Sequence, residues 1–294
     1  MSFNQERLNK ILKKLPASLH KAVGNTLGDA RFNGYLKASK TITLEDPKFL
    51  TALLEVAKQF SVAPISNFYV GAIAVGDSGN FYFGANMEFT GVPLSASIHA
   101  EQSAVMNAWL HGEDGIQALH VSELPCGHCR QFLLELSNAH TLPVTISNKK
   151  YVLTDLIPHH FGAAREAGQG LLDTPKQALK SVQALDKDLS QRALNAAEHS
   201  YTPHTKNKQG FIIEDINGGI HEGRTAESAA FNPTVLAVTS ALNQRNLSAS
   251  REVPIKNCVC AQVTFASHSQ TSLATAILKS ITSATVEHID LKLA

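Results

Sequence analysis

The sequence predicts an α/β fold built twice, each copy a three-layer α/β/α sandwich on a mixed sheet, with a small helical region in front. Three observations carry that prediction. Two strand-like runs joined by a tight turn are followed by alternating helical and strand-like segments, the order that places a mixed sheet between helices. The same order returns in the second half of the chain at a constant offset. At 294 residues, 44% of them apolar, the chain can also bury two cores and an extra element.

Residues 1–46 read as short helices, with Leu8, Ile11, Leu12 and Leu15 on one face and Thr43-Leu44-Glu45-Asp46 as a turn-forming end. Another apolar helix spans 49–60. The period then changes to two over 68–75 and 81–85, joined by the hairpin signal Gly76-Asp77-Ser78-Gly79. Helical spacing resumes over 98–111. A buried strand at 118–121 leads into a cysteine motif, from which a helix continues to about residue 138, and 143–147 is a further strand. Residues 150–185 contain Pro158, Pro175 and several Gly and Ala, and read as a long connection with short helices and no strong strand. The expected division is a helical region at 1–46, a first α/β domain at 47–166, a linker at 167–184 and a second α/β domain at 185–294.

The duplication rests on two matches at one offset. Thr202-Pro203-His204-Thr205-Lys206 stands 139 residues after Ala63-Pro64-Ile65-Ser66-Asn67, and Gly223-Arg224-Thr225-Ala226-Glu227 stands 139 after Gly84-Ala85-Asn86-Met87-Glu88. Between them, 210–213 and 219–220 repeat the hairpin. Allowing for a two-residue gap, the counterpart of His99 is Leu236 or Val238, and that of Glu101 is Val238 or Ser240. The positions matching Cys126 and Cys129 fall near 269–273 and hold no cysteine. Cys258 and Cys260 share one face of a strand at 258–265 and read as core residues.

The chemistry lies in His99-Ala100-Glu101 and Pro125-Cys126-Gly127-His128-Cys129. Two cysteines three apart occupy one face of a helical turn, so both sulfurs can reach one ion, and His99 can supply a ring nitrogen to it. A structural zinc site closes with four protein ligands, whereas a catalytic one leaves a position for water. Here three ligands are evident, with a carboxylate beside them to carry a proton. Taken singly, the cysteine pair could be structural zinc, a redox pair or a helix start, and His99 a core residue; His128 is a rival ligand. The combination points to water activated by zinc.

A net charge of +1, from 26 basic and 25 acidic residues, with no basic tract longer than Lys13-Lys14 or Lys149-Lys150, does not indicate a nucleic-acid surface and favours a small-molecule substrate. No apolar run approaches eighteen residues, so no membrane span is expected. The four cysteines form two tight pairs, unlike a secreted disulfide framework, and no cleavable leader is evident, which together suggest a cytoplasmic protein.

His-x-Glu followed by Pro-Cys-x-x-Cys is the general signature of the zinc-dependent nucleoside and nucleobase deaminases, which this chain resembles. Ser66-Asn67-Phe68, residues 83–88, His99-Ala100-Glu101-Gln102-Ser103-Ala104 and residues 125–131 look more closely like the cytidine deaminase family. The length, helical start and degenerate second copy are similar to its long, homodimeric bacterial form, so the likeness covers essentially the whole chain. The small tetrameric form uses three cysteines. The resemblance implies hydrolytic deamination of cytidine and 2′-deoxycytidine, with one Zn2+ per chain on His99, Cys126 and Cys129 and with Glu101 as proton shuttle. It further implies that Asn86 and Glu88 bind the ribose, that Phe68 stacks on the base, and that Ala100 and Cys126 offer it backbone groups. Phe161 is similar to an aromatic that reaches the neighbouring subunit's pocket. From the residues alone, Asn86 and Glu88 could be a solvated strand end, and Phe68 could equally be a core residue. Arg130 could bond a thiolate or be solvated. Two other functions remain open: a deaminase acting on polynucleotides, and a non-enzymatic zinc-stabilised interaction module with a fourth protein ligand.

Overall fold

The computed structural model describes residues 13, 20, 23, 24, 27, 32–38, 47–162, 165–185, 187–248, 250–264 and 268–294. Of the expected N-terminal helices, Leu8, Ile11, Leu12 and Leu15 lie outside the described residues. Val23, Leu27 and Phe32 are buried with α1 (Pro47–Ala57) against the first sheet.

That sheet contains β1 (Tyr35–Leu36), β2 (Gly71–Gly76), β3 (Phe81–Ala85), β4 (Ile116–Val121), β5 (Pro143–Ile146) and β6 (Lys149–Val152), in the order β1-β3-β2-β4-β5-β6. Only β4 and β5 run parallel. Parallel neighbours need a crossover, and the helix α3 (Gly127–Leu133) provides it. The expected hairpin is present, with Ile73 opposite Phe83. The helix α2 (Ala100–Leu110) is buried all round from Ala100 to Trp109, so it has no amphipathic stripe.

The connection is more ordered than its composition suggests. It carries β6, the single-turn helix α4 (Leu153–Leu156) and β7 (Leu179–Ser181). The expectation was of no strong strand there, and the two strands found are four and three residues long. Both strands are short sheet edges, paired on one side only, and such strands need no long apolar run.

The second sheet, β7-β11-β10-β8-β9, is formed with β8 (Gln209–Asp215), β9 (Ile220–Arg224), β10 (Ile255–Val263) and β11 (Val286–Leu293). Its one parallel pair is β10 and β11. The helices of this half are α5 (Asp188–Glu198), α6 (Ala237–Leu247) and α7 (Thr271–Lys279). The four central strands of the first half are thus repeated; β1 has no counterpart beside β9, and the edge beside the parallel pair is filled by β7 arriving from the connection instead of by a following strand.

The duplication reaches the backbone. Asn67 and Lys206, 139 apart, both have left-handed φ, of 53° and 59°. Isolated bridges join Val62 to Met87 and Tyr201 to Ala226 in the same way. The helix α6 begins at Ala237 as α2 begins at Ala100, an offset of 137. That register makes Leu236 the counterpart of His99 and Val238 that of Glu101. Gln270, the N-cap of α7, stands where Cys126 caps α3. Cys258 and Cys260 are free and buried on one face of β10, as expected. One continuous core takes residues from α2, α6 and the inner faces of both sheets.

Candidate active site

Residues 122–125 leave the carboxyl end of β4 and turn into α3, the end of a strand at which open α/β sheets place their ligands. Cys126 is the N-cap of α3 and Cys129 lies within its first turn, while His99 is the N-cap of α2. Two helix starts therefore converge on one point. His99 Nδ1 lies 3.3 Å from Cys126 Sγ, which lies 3.7 Å from Cys129 Sγ. A tetrahedral zinc with bonds of about 2.3 Å to sulfur and about 2.0 Å to nitrogen requires donors roughly 3.5 to 3.8 Å apart. The donor set fits zinc both in chemistry and in spacing. Among the described residues this is the one such cluster, and it has three members.

His128 is not among them. Its ring stacks on that of His99 with centroids 4.9 Å apart. Arg130 takes neither expected role, since Nε donates to the Pro125 carbonyl at 2.7 Å and Nη1 to the Leu156 carbonyl at 2.6 Å. It braces the cysteine turn against the connection.

The three donors shift one another, and at Cys126 the shift favours the thiolate a metal needs. A hydrogen bond from Cys129 holds the Cys126 thiol down to about 3, and His99 beside it acts in the same direction. The hydrogen bond to Cys126 raises His99. Burial pushes Cys129 and Glu101 up. Glu101 is 4% exposed and lines the same cavity without joining the ligand cluster, as suits a proton carrier.

The cavity measures about 410 Å³ and is lined by Phe68, Asn86, Glu88, His99, Ala100, Glu101 and Cys126. Phe68 is 56% exposed, so it is not a core residue. Asn86 and Glu88 are not a free strand end either. Asn86 Oδ1 accepts from the Val70 N–H at 2.9 Å and from Ser61 Oγ at 2.6 Å, and Nδ2 donates to the Phe68 carbonyl at 2.9 Å. Glu88 accepts the N–H groups of Ile65 and Ser66 at 2.9 and 3.1 Å, together with the Ser66 hydroxyl. Burial would raise this carboxyl, but those bonds outweigh it and leave it lowered. Both side chains hold the loop that presents Phe68.

Phe161 does not line its own chain's cavity. It is 66% exposed, and Gln131 clamps its backbone from both sides, Nε2 donating to the carbonyl at 2.8 Å and Oε1 accepting the N–H at 3.2 Å. Sequence reasoning missed the apolar rim of Ile65, Leu94 and Leu124, which no local pattern distinguishes from loop residues. It also missed Gln102, which the third position of a capping box could have signalled.

Residues 44–144 match a family model described as the cytidine and deoxycytidylate deaminase zinc-binding region, and residues 153–275 match a second model of the same description. Proteins named cytidine deaminase from Yersinia pestis (strain Pestoides F) and Yersinia pseudotuberculosis serotype O:1b (strain IP 31758) are each 41% identical to this chain over 262 residues, 87% of this chain and 89% of theirs. A crystal structure of cytidine deaminase from Burkholderia pseudomallei shares 29% identity, with 40% of this chain and 99% of that one covered and a TM-score of 0.36. The first matched region contains all three donors and Glu101, and the likeness to the Yersinia proteins extends through both halves: the chain belongs to the cytidine deaminase family.

Proposed function

We propose that the protein hydrolyses cytidine and 2′-deoxycytidine to the corresponding uridines, releasing ammonia. The observation that carries this reading is the convergence of His99, Cys126 and Cys129 on one point, with the buried Glu101 alongside and a nucleoside-sized cavity in front. A zinc ion held by those donors supplies the Lewis acidity that makes water a nucleophile near neutral pH. Glu101 would take one proton from the attacking water and give it to N3 of the ring as C4 is attacked, then take the remaining hydroxyl proton and pass it to the departing amino group. Water is consumed and ammonia leaves, so C4 exchanges an amine for an oxygen. Burial keeps Glu101 ready to hold a proton between these transfers. Phe68 stacks on the base, Ala100 and Cys126 offer it backbone groups, and Asn86 and Glu88, which line the same cavity, take the ribose.

A homodimer is part of the proposal, supported by the exposure of Phe161 on a clamped segment suited to entering a partner's cavity. We place the catalytic domain at 47–166, the linker at 167–184 and the degenerate domain at 185–294. A cytoplasmic setting is supported by four free cysteines. Among the described residues no helix is long and apolar enough to cross a membrane. A closed structural zinc site would need a fourth converging donor, which the described residues do not supply.

Mixing purified protein with cytidine and following the ultraviolet change, with a cytosine-containing oligonucleotide in parallel, tests the reading. Conversion of the free nucleoside with little salt dependence is expected. Activity on the oligonucleotide alone, falling steeply with salt, would make the substrate a polynucleotide.

A further inference from the structure

We infer that Gln102 is a positioning residue whose side-chain amide ties the metal-ligand end of α2 to the second half of the chain, making the half without ligands a support of the site. The inference rests on His99 being a zinc ligand. Gln102 is 1% exposed. Its Oε1 accepts the backbone N–H of His99 at 3.2 Å, and its Nε2 donates to the Pro233 carbonyl at 2.7 Å. An amide is planar, so both bonds are aimed by one rigid group. Movement of the Pro233 loop must turn that group, and with it the backbone of His99.

The next residue strengthens the link. Ser103 Oγ accepts the Ala85 N–H at 3.0 Å and donates to Asn243 Oδ1 at 2.6 Å, while Asn243 Nδ2 donates to the Ser103 carbonyl at 3.2 Å. The first turn of α2 is therefore bonded to α6 and to the end of β3, just before Asn86.

The duplication supplies an internal control. At the 137-residue offset of α2 and α6, Gln102 corresponds to Thr239 and Pro233 to Ala96. Thr239 Oγ1 donates to the Ala96 carbonyl at 3.4 Å, so the bond between halves exists in both directions. The bond back to the helix's own N-cap does not. Among the described residues nothing joins Thr239 to the Leu236 N–H, and a threonine is too short to span both groups. Likewise Asn243 corresponds to Met106, and the buried Ser240 hydroxyl is left without a partner. Among the described residues, an amide that bonds both its own helix's N-cap and the other half occurs in the half whose helix begins with His99. Groups that orient a metal ligand from behind it typically change metal affinity about 10- to 100-fold when lost.

The test uses full-length, zinc-loaded protein without substrate and reads the rate of zinc transfer to a chromogenic chelator, together with the melting temperature. Gln102→Leu should release zinc about tenfold faster or more, whereas Thr239→Val, which cuts the equivalent bond at the mirrored position, should stay within about twofold of the parent. Release from Gln102→Leu at the parental rate would overturn the inference, as would equal acceleration by Thr239→Val. Should Gln102→Leu not fold, Gln102→Glu keeps an oxygen for His99 and removes the donor to Pro233; it should also release zinc faster, and a parental rate would overturn the inference. A parent that takes up no zinc would overturn the ligand assignment itself.

Discussion

Glu101 and His99 sit two residues apart, yet the fold gives them different tasks: the imidazole meets two sulfurs, and the carboxyl is buried beside them. Glu101→Gln keeps the shape and removes the carboxyl that we propose carries the proton. Zinc content should be unchanged while turnover falls by several orders of magnitude, read by metal analysis and by ammonia release. A second residue contributes to the loss of stability in acid. His120 is 6% exposed and neither ring nitrogen has a partner. Burial, aided by Lys150, lowers it from 6.5 to about 4. The unfolded chain protonates this imidazole below about 6.5 while the folded chain resists until about 4. The unfolded state therefore holds more protons in between, and stability falls as the pH is lowered through that window, by at most about 3 kcal/mol. His120→Gln should flatten that part of a pH series of denaturant midpoints. The clustering of His99, Cys126 and Cys129 beside Glu101 was legible in the sequence because their spacing is itself chemistry. The loop-holding work of Glu88 was not, since its partners come from residues 65 and 66. Glu227 makes the same bonds to His204 and Thr205 in the half without a site. Organising that loop is thus a property of the fold in both halves.

Helices reach this sheet through glycines. A Cβ on Gly84 would lie 2.3 Å from the Ala100 carbonyl oxygen and 2.3 Å from the Ala104 nitrogen, so β3 touches the backbone of α2. Gly223 stands against Ala237 and Ala241 in the same way. Gly84→Ala must push α2, and the His99 at its start, away from the sheet. A loss of about 3 kcal/mol in a denaturant titration is expected, the upper part of the range for overpacking, with weaker zinc retention. Gly223→Ala should cost similar stability, with the larger zinc effect reserved for Gly84→Ala. Among the elements, the hairpin and the β4-α3-β5 crossover were legible because turn residues and period shifts mark them. The strands β6 and β7 were not, being edges whose order comes from neighbours. The all-round burial of α2 explains why its segment shows helical spacing without a polar face.

Across the molecule, one core joins both halves, which makes the second half a structural part of the first and not a tethered copy. The duplication was legible from two short matches. Its register across the helices was open until the starts of α2 and α6 showed the two-residue gap. If Phe161 completes a partner's cavity, Phe161→Ala should raise KM more than it lowers kcat. Mixing that variant with Glu101→Gln and allowing subunits to exchange should then create sites with parental KM. Steady-state kinetics on the mixture would show it, and an unchanged KM would place Phe161 outside the site. The central claim is that three side chains hold one zinc on which all turnover depends. Its most direct test is cytidine turnover measured against zinc content as a chelator strips the protein and added zinc restores it. Turnover should fall and recover in proportion to one zinc per chain, and full activity in metal-free protein would contradict the account.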